Sequence, residues 1–111
     1  MASIRQEKIA GVLQKELGLI FQREARTICE GAMVSVTIVR VTPDIGLAKV
    51  YLSIFGSKDK EQVLKNIQDN TKQVRHILAQ TVKNQLRKTP ELVFYLDDSY
   101  DYARKIDELL K

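Results

Sequence analysis

The amino-acid sequence predicts an α+β fold in which helices cover one face of a three-stranded sheet. Apolar residues recur at helical spacing over residues 3–23 and 58–87, and a short helical repeat over 99–110 closes the chain. The segments that alternate as strands do are 33–41, 47–55 and 91–97. The predicted order is therefore α-β-β-α-α-β-α, with the helices packed on one side of the sheet.

The first helix is predicted by an apolar stripe with Ser3 as a candidate N-cap. Charged residues lie off this stripe, so one face is polar. Residues 25–32 contain Gly31 and break the helical period, which indicates a connection. The stripe consists of Ile9, Val12, Leu13, Leu17, Ile20 and Phe21.

The next two segments predict an antiparallel hairpin. The first is rich in β-branched residues, and simple alternation would place Val34, Val36 and Ile38 on one face. Residues 43–46 read Pro-Asp-Ile-Gly, a composition typical of a tight turn. The second strand alternates Ala48, Val50 and Leu52 with Lys49, Tyr51 and Ser53.

The second half begins with a long helical repeat, from Lys58 to Arg87, whose stripe is interrupted by the polar residues 68–73. This interruption predicts either two helices or one helix with a kink near Asn70–Lys72. Pro90 ends the repeat because the residue before proline avoids the helical conformation. The third strand follows, and the C-terminal helix is expected to start at an N-cap supplied by Asp98 or Ser99.

Length and charge narrow the function classes. The 111 residues are the size of one domain. Residues 57–88 carry eight Lys/Arg against three Asp/Glu, whereas residues 89–111 carry three against six. A basic centre beside an acidic end indicates a polarised molecule whose charge matters for its partners.

The basic segment 70–88 contains five Lys/Arg and no Asp or Glu. On a continuous helix its cations would form a stripe opposite the buried side. Solvated helix faces usually mix signs, so this stripe favours phosphate binding, although a plain solvated face stays open as the alternative. The candidate contacts are Lys72, Arg75, His76, Lys83, Arg87 and Lys88. Most aromatic residues are expected in the core, while Tyr51 or Tyr95 could face solvent.

Other chemistries find little support in the residues. Cys29 and His76 are the only cysteine and histidine, which is too few soft ligands for a tetrahedral zinc site. Asp97 and Asp98 are adjacent, and neighbouring residues on a strand point to opposite faces, so they cannot readily act on one substrate atom. No apolar run is long enough for a membrane span or a signal peptide. We therefore expect a cytoplasmic protein that is not an enzyme and needs no cofactor or metal.

The element order resembles that of the type II KH domain, and the local sequences resemble the ribosome-binding factor A family. The resemblance lies in residues 5–24, in VSVTIVRVTPDIGLAKVYLS at 34–53, in the R-x-x-P-E-L pattern at Arg87–Leu92, and in Asp97–Ser99. The family replaces the GxxG loop of KH domains by an Ala-x-Gly kink between two helices. This chain has Asn70, Thr71 and Lys72 at that place, and Asn70 could supply an unusual backbone conformation instead of Gly.

The resemblance implies a non-catalytic assembly factor that binds the small (30S) ribosomal subunit and its 16S rRNA late in maturation. The protein is then expected to act as a single KH-like RNA-binding domain, 1–111, and as a monomer. The alternative is a protein-interaction module whose basic helix docks an acidic partner. A homo-oligomer built on an open sheet edge is left undecided by the sequence.

Overall fold

The structure is a computed structural model that describes residues 3–97. It contains three helices and three strands, in the order helix, strand, strand, helix, helix, strand. The predicted C-terminal helix at 99–110, and its N-cap at Asp98 or Ser99, lie outside the described residues. The elements are α1 (Ile4–Arg23), β1 (Met33–Val41), β2 (Leu47–Phe55), α2 (Lys60–Asp69), α3 (Thr71–Val82) and β3 (Glu91–Leu96).

The α+β prediction is confirmed, because the three strands form one sheet with the helices on one face. The strand β2 lies in the centre, antiparallel to β1 and parallel to β3. The inner side of β2 is fully buried at Ala48, Val50 and Leu52, as its alternation predicted. Facing it are the buried stripe of α1, the inner sides of α2 and α3, and an edge-to-face contact between Phe21 and Phe94 with ring centroids 5.8 Å apart.

The helix α1 begins where the sequence predicted. The Ser3 hydroxyl accepts a hydrogen bond from the Gln6 backbone N–H at 3.1 Å, and the Gln6 side chain accepts one from the Ser3 N–H at 2.9 Å. This reciprocal pair is a capping box, which satisfies two N–H groups that a helix start leaves free. The helix is thereby fixed at its first residue, so Arg5 and Lys8 project from its ordered first two turns.

The alternation predicted for β1 is wrong from its middle onward. The register shifts between Val36 and Ile38, which leaves Thr37 as an extra residue opposite β2. An extra residue moves every later side chain to the other face, so Val39 and Val41 pack against the core while Ile38 is exposed. Simple alternation had placed Ile38 on the same face as Val34 and Val36.

Both outer edges of the sheet are contacted by glutamine side chains from the helices. Gln6 and Gln14 on α1 donate to carbonyl oxygens of β1: Gln6 Nε2 lies 2.7 Å from Val41 O, and Gln14 Nε2 lies 3.1 Å from Val36 O. Gln68 on α2 donates to Phe94 O of β3 at 3.1 Å. These amides occupy acceptors that an edge strand would otherwise offer to another chain.

The break between α2 and α3 confirms the interruption predicted at Asn70–Lys72. Asn70 has φ −103° and ψ 17°, outside the helical region, and ends α2 while it precedes α3. Its side chain donates to the Asn66 carbonyl at 2.7 Å, which turns it back onto α2. Because φ is negative, this residue does not reproduce the left-handed conformation that glycine adopts most readily.

The predicted extension of the second helical repeat to Arg87 is wrong, since α3 ends at Val82. Residues 83–90 form turns and bends instead. Gln85 N and Leu86 N still donate to Val82 O, at 2.8 and 2.9 Å, and Leu86 packs on the core, so the apolar pattern persists without a continuous helix. The third strand also ends one residue earlier than predicted, at Leu96.

Candidate nucleic-acid interface

The six predicted contact residues do not form one helical stripe. Lys72, Arg75 and His76 lie on α3, whereas Lys83 follows its end and Arg87 and Lys88 lie in the connection to β3. The twelve residues of α3 span about 18 Å. The structure therefore divides the predicted cations between the α2–α3 break at one end of α3 and the α3–β3 connection at the other.

Lys72 lies in the first turn of α3 and is exposed. A cation is unfavourable at a helix N-terminus, because the backbone N–H groups there already make the potential positive. The first turn of α3 has no acidic residue, and Asn70 makes no side-chain hydrogen bond to it. Lys72 is thus an exposed cation in a turn that has no carboxylate of its own, while Asp69 and the C-terminal carbonyls of α2 lie immediately before it.

His76 is exposed one turn further along α3. Its Nε2 lies 3.2 Å from Gln80 Nε2, and a glutamine amide nitrogen can only donate. Gln80 lies one helical turn after His76, so this contact runs along the exposed side of α3. His76 thereby presents a polar ring one turn after Lys72.

Arg75 is partly buried, and its guanidinium binds the protein's own backbone. Nη2 donates to Thr89 O at 2.7 Å, and Nε donates to Pro90 O at 3.2 Å. These two bonds fasten α3 to the residues that lead into β3. At least part of this cation is therefore engaged in holding the fold.

Arg87 and Lys88 line a groove of about 560 Å³ together with two cations of α1, Arg5 and Lys8. We call it the basic groove. Three separate segments form it: the first turns of α1, the β1–β2 turn and the α3–β3 connection. Apolar surface contributes as well, and one carboxylate is present. The other lining residues are Ile4, Ile9, Asp44, Ile45, Gln85 and Leu86.

The carboxylate of the basic groove is engaged in the β1–β2 turn. Asp44 Oδ1 accepts from Thr42 Oγ1 at 2.6 Å and from the Gly46 N–H at 3.1 Å. These hydrogen bonds lower the pKa of the Asp44 carboxyl, and the charge of Lys88 lowers it slightly further. Asp44 therefore stays ionised and braces the turn, while it offsets only part of the four positive charges.

The turn also holds Ile45 at φ 58°, a conformation unusual for a β-branched residue. Such a backbone costs about 1–2 kcal/mol, whereas burying an isoleucine side chain stabilises by about 1.5–3 kcal/mol. Ile45 is 7% exposed and belongs to the core. Burial thus outweighs the strain and fixes the floor of the basic groove.

Sequence reasoning missed Arg5 and Lys8, which it treated only as the polar side of the first helix. Their proximity to Arg87 and Lys88 depends on how α1 packs across the sheet, and no local pattern encodes that packing. Their position on the face of α1 that borders Ile9 was the only available signal.

Cys29 and Asp97, two of the residues considered for other chemistry, are engaged within the fold. Cys29 is fully buried, and burial raises the pKa of its thiol to about 11, with a smaller contribution from Glu24. Asp97 Oδ2 accepts from Thr37 Oγ1 at 2.6 Å. Within residues 3–97, no three His, Cys, Asp or Glu side chains are grouped so that they could bind a metal ion. None of the helices in that range is long and apolar enough to cross a membrane.

The fold and the basic groove together define an α+β domain of the type II KH-like class with a cationic flank. The comparisons make the assignment more specific, because residues 5–110 match the family model described as ribosome-binding factor A. The chain belongs to the ribosome-binding factor A family.

Individual relatives agree with this assignment. The ribosome-binding factor A of Cytophaga hutchinsonii is 43% identical over 110 residues, which cover 99% of this chain and 83% of the relative. The crystal structure of ribosome-binding factor A from Thermus thermophilus superposes with a TM-score of 0.69 at 21% identity, over 82% of this chain and 94% of that one. A homology model of the Thermus thermophilus factor, fitted into a cryo-electron-microscopy map of a 30S–ribosome-binding factor A complex, gives a TM-score of 0.53 at 20% identity, over 74% and 96% of the two chains.

Proposed function

We propose that this protein is a non-catalytic assembly factor that binds the 30S ribosomal subunit through its 16S rRNA during late maturation. The observation that carries the proposal is the basic groove, where Arg5, Lys8, Arg87 and Lys88 converge around one carboxylate. Such a cluster suits the phosphates of a folded RNA, since Lys and Arg contacts to phosphate give affinity and position. Family membership supports the choice of partner, because a relative has been fitted into a 30S complex.

The remaining predicted contacts extend this surface toward the α2–α3 break. Lys72 and Lys83 are exposed and would meet phosphates beyond the basic groove, and His76 would offer a hydrogen bond. Arg75 has the smallest share in the proposal, because two of its N–H donors already bind Thr89 and Pro90. The whole chain would then work as one RNA-binding domain.

In this proposal the protein works as a monomer in the cytoplasm, where small subunits mature. Pairing of two copies through a sheet edge is disfavoured by the side chains of Gln6, Gln14 and Gln68, which occupy edge carbonyls. No step of this function requires the protein to make or break a covalent bond.

The test compares two double charge reversals in the full chain. Arg87→Glu/Lys88→Glu alters the basic groove, whereas Lys15→Glu/Lys65→Glu changes the net charge equally at exposed positions outside it. Binding to purified small subunits is measured by co-sedimentation at several salt concentrations. Each lost phosphate contact lowers the slope of log affinity against log salt concentration by about 0.7–0.9 in magnitude. The groove variant loses two cations, so its slope should fall by about 1.4–1.8 in magnitude and its affinity by at least tenfold.

The control variant should keep most of the parent's affinity. Equal loss in both variants would mean that net charge alone drives binding, and unchanged binding in the groove variant would overturn the proposal. Digestion of the subunit RNA by ribonuclease should release the protein. Continued co-sedimentation with the ribosomal proteins would instead favour an acidic protein partner.

A further inference from the structure

The face of the sheet opposite the helices carries an aromatic and aliphatic strip. Ile38, Tyr51 and Tyr95 are neighbours in one cross-strand row, and Val93 lies in the next. The rings of Tyr51 and Tyr95 stack with centroids 5.3 Å apart and planes 25° apart. Tyr95 is 40% exposed, Ile38 41% and Val93 36%. Since each ring of a stacked pair covers only one side of the other, aromatic surface remains accessible to a ligand.

Two cations lie directly beside this strip. Arg40 on β1 and Lys49 on β2 are register partners, both are exposed, and Val93 continues their row on β3. Like charges directly opposite each other destabilise a sheet. Among residues 3–97 the structure shows no hydrogen bond or ion pair from either cation to a carboxylate. An anion placed between them would relieve this repulsion.

The row that contains Arg40 and Lys49 (the cation row) and the row that contains Tyr51 and Tyr95 (the aromatic row) are two residues apart along the strands, or about 7 Å. That separation matches the reach from a nucleotide's base to its own phosphate. The cation row also lies next to the β1–β2 turn, whose residues Asp44 and Ile45 line the basic groove. A strand that leaves the basic groove around this turn would therefore meet Arg40 and Lys49 first, and the tyrosine pair next.

We propose that this outer face of the sheet binds an unpaired stretch of RNA, with a base stacked on the Tyr51–Tyr95 pair and the phosphate of the same nucleotide between Arg40 and Lys49. The inference rests on the proposed function insofar as that function supplies an RNA partner. Every base has a face that can stack on an aromatic ring, so such contacts favour single-stranded RNA without selecting a particular sequence. A second copy whose two-fold axis passed through the row of Arg40 and Lys49 would bring four cations together, which disfavours that arrangement.

The test measures how far binding depends on bases. The full chain is titrated with a fluorescein-labelled single-stranded RNA of eight nucleotides, and with the same backbone made abasic at every position. Stacking of one base is worth about 5- to 150-fold in affinity. The parent should therefore prefer the base-bearing strand by at least fivefold. Tyr95→Leu should abolish this preference while binding the abasic strand as the parent does, and Tyr95→Phe should retain it.

Phe55→Leu is the matched control, since Phe55 is an exposed aromatic residue at the far end of the same sheet. This variant should keep the full preference for bases. Thermal melts establish that each variant folds. For the unaltered parent, NMR provides a second measurement: the base-bearing strand should shift the ring resonances of Tyr51 and Tyr95, and the abasic strand should leave them in place.

Several outcomes would overturn the inference. One is an unchanged preference in Tyr95→Leu, and another is an equal loss in Phe55→Leu. Dimerisation that Tyr95→Leu abolishes would assign the face to a second copy. Small-subunit co-sedimentation of the same samples separates the two proposals: if the parent fails there, the proposed function is wrong, whereas binding without tyrosine dependence refutes only this inference.

Discussion

Replacement of Arg75 distinguishes a structural role from an RNA-binding role. The sequence predicted this cation to contact RNA, whereas in the structure its guanidinium is hydrogen-bonded to the protein's own backbone. Replacing it by methionine keeps the length and apolar stem of the side chain but removes the donors to Thr89 O and Pro90 O, at 2.7 and 3.2 Å. Arg75→Met should therefore destabilise the fold and leave RNA binding nearly unchanged.

The magnitude follows from the two hydrogen bonds. A hydrogen bond from a charged group contributes about 1.5–3 kcal/mol. The guanidinium is only partly buried and both bonds share one desolvation cost, so we expect a combined loss of about 2 kcal/mol. For a domain of this size, 1 kcal/mol shifts Tm by about 4–8 °C, so the variant should melt about 8–16 °C lower. Differential scanning calorimetry measures the shift.

Lys72→Met is the matched control on the same helix. It removes an exposed cation from the first turn of α3, where the helix dipole disfavours positive charge, so stability should change by less than about 0.5 kcal/mol. Its salt slope for small-subunit binding should fall by about 0.7–0.9 if it contacts one phosphate. The reasoning would be refuted if Arg75→Met melted at the same temperature as the parent and showed a weaker salt dependence of small-subunit binding instead.

Two further predictions concern the interior. The buried Cys29 thiol, whose pKa is raised from 9.0 to about 11, should resist iodoacetamide in the native protein at pH 8 and react once urea unfolds the chain. Native labelling as fast as that of a free thiol would contradict the burial. Because the folded state holds this proton more tightly, Cys29 should not affect stability below pH 9 and should lower it as the pH rises from 9 toward 11. Asn66 Nδ2 donates to Ile28 O at 2.6 Å, so Asn66→Ala should lower the free energy of unfolding by about 1–2 kcal/mol in urea titrations, and an unchanged midpoint would mean that water replaces this bond.

The elements that the sequence predicted well are those with a local physical signal. The apolar stripe and Ser3 define α1, and the composition of residues 43–46 defines the turn between two alternating strands. The polar interruption near Asn70 marks the break between α2 and α3 because a helix without apolar residues on its inner side gains nothing from packing. Each of these features depends on residues that are close in sequence.

The errors arise where tertiary packing overrides a local pattern. Ile38 follows the strand alternation, but the extra residue at Thr37 reverses its face, and no composition rule requires a bulge there. The repeat that reaches Leu86 suggested a helix to Arg87, yet the chain must turn early so that Pro90 can lead β3 alongside β2. The consequence is that Arg87 joins α1 cations in the basic groove instead of continuing the stripe that begins at Lys72.

The glutamine contacts at the sheet edges link aggregation by strand addition to the packing of the helices on the sheet. Gln6 and Gln14 belong to α1, whose stripe is the largest helical contribution to the buried interior. A foreign strand that pairs with β1 must therefore break these amide contacts and lie directly beside the helix that covers the sheet. Opening of α1 would remove both obstacles at once, so strand addition should be fastest in states where this helix has left the sheet.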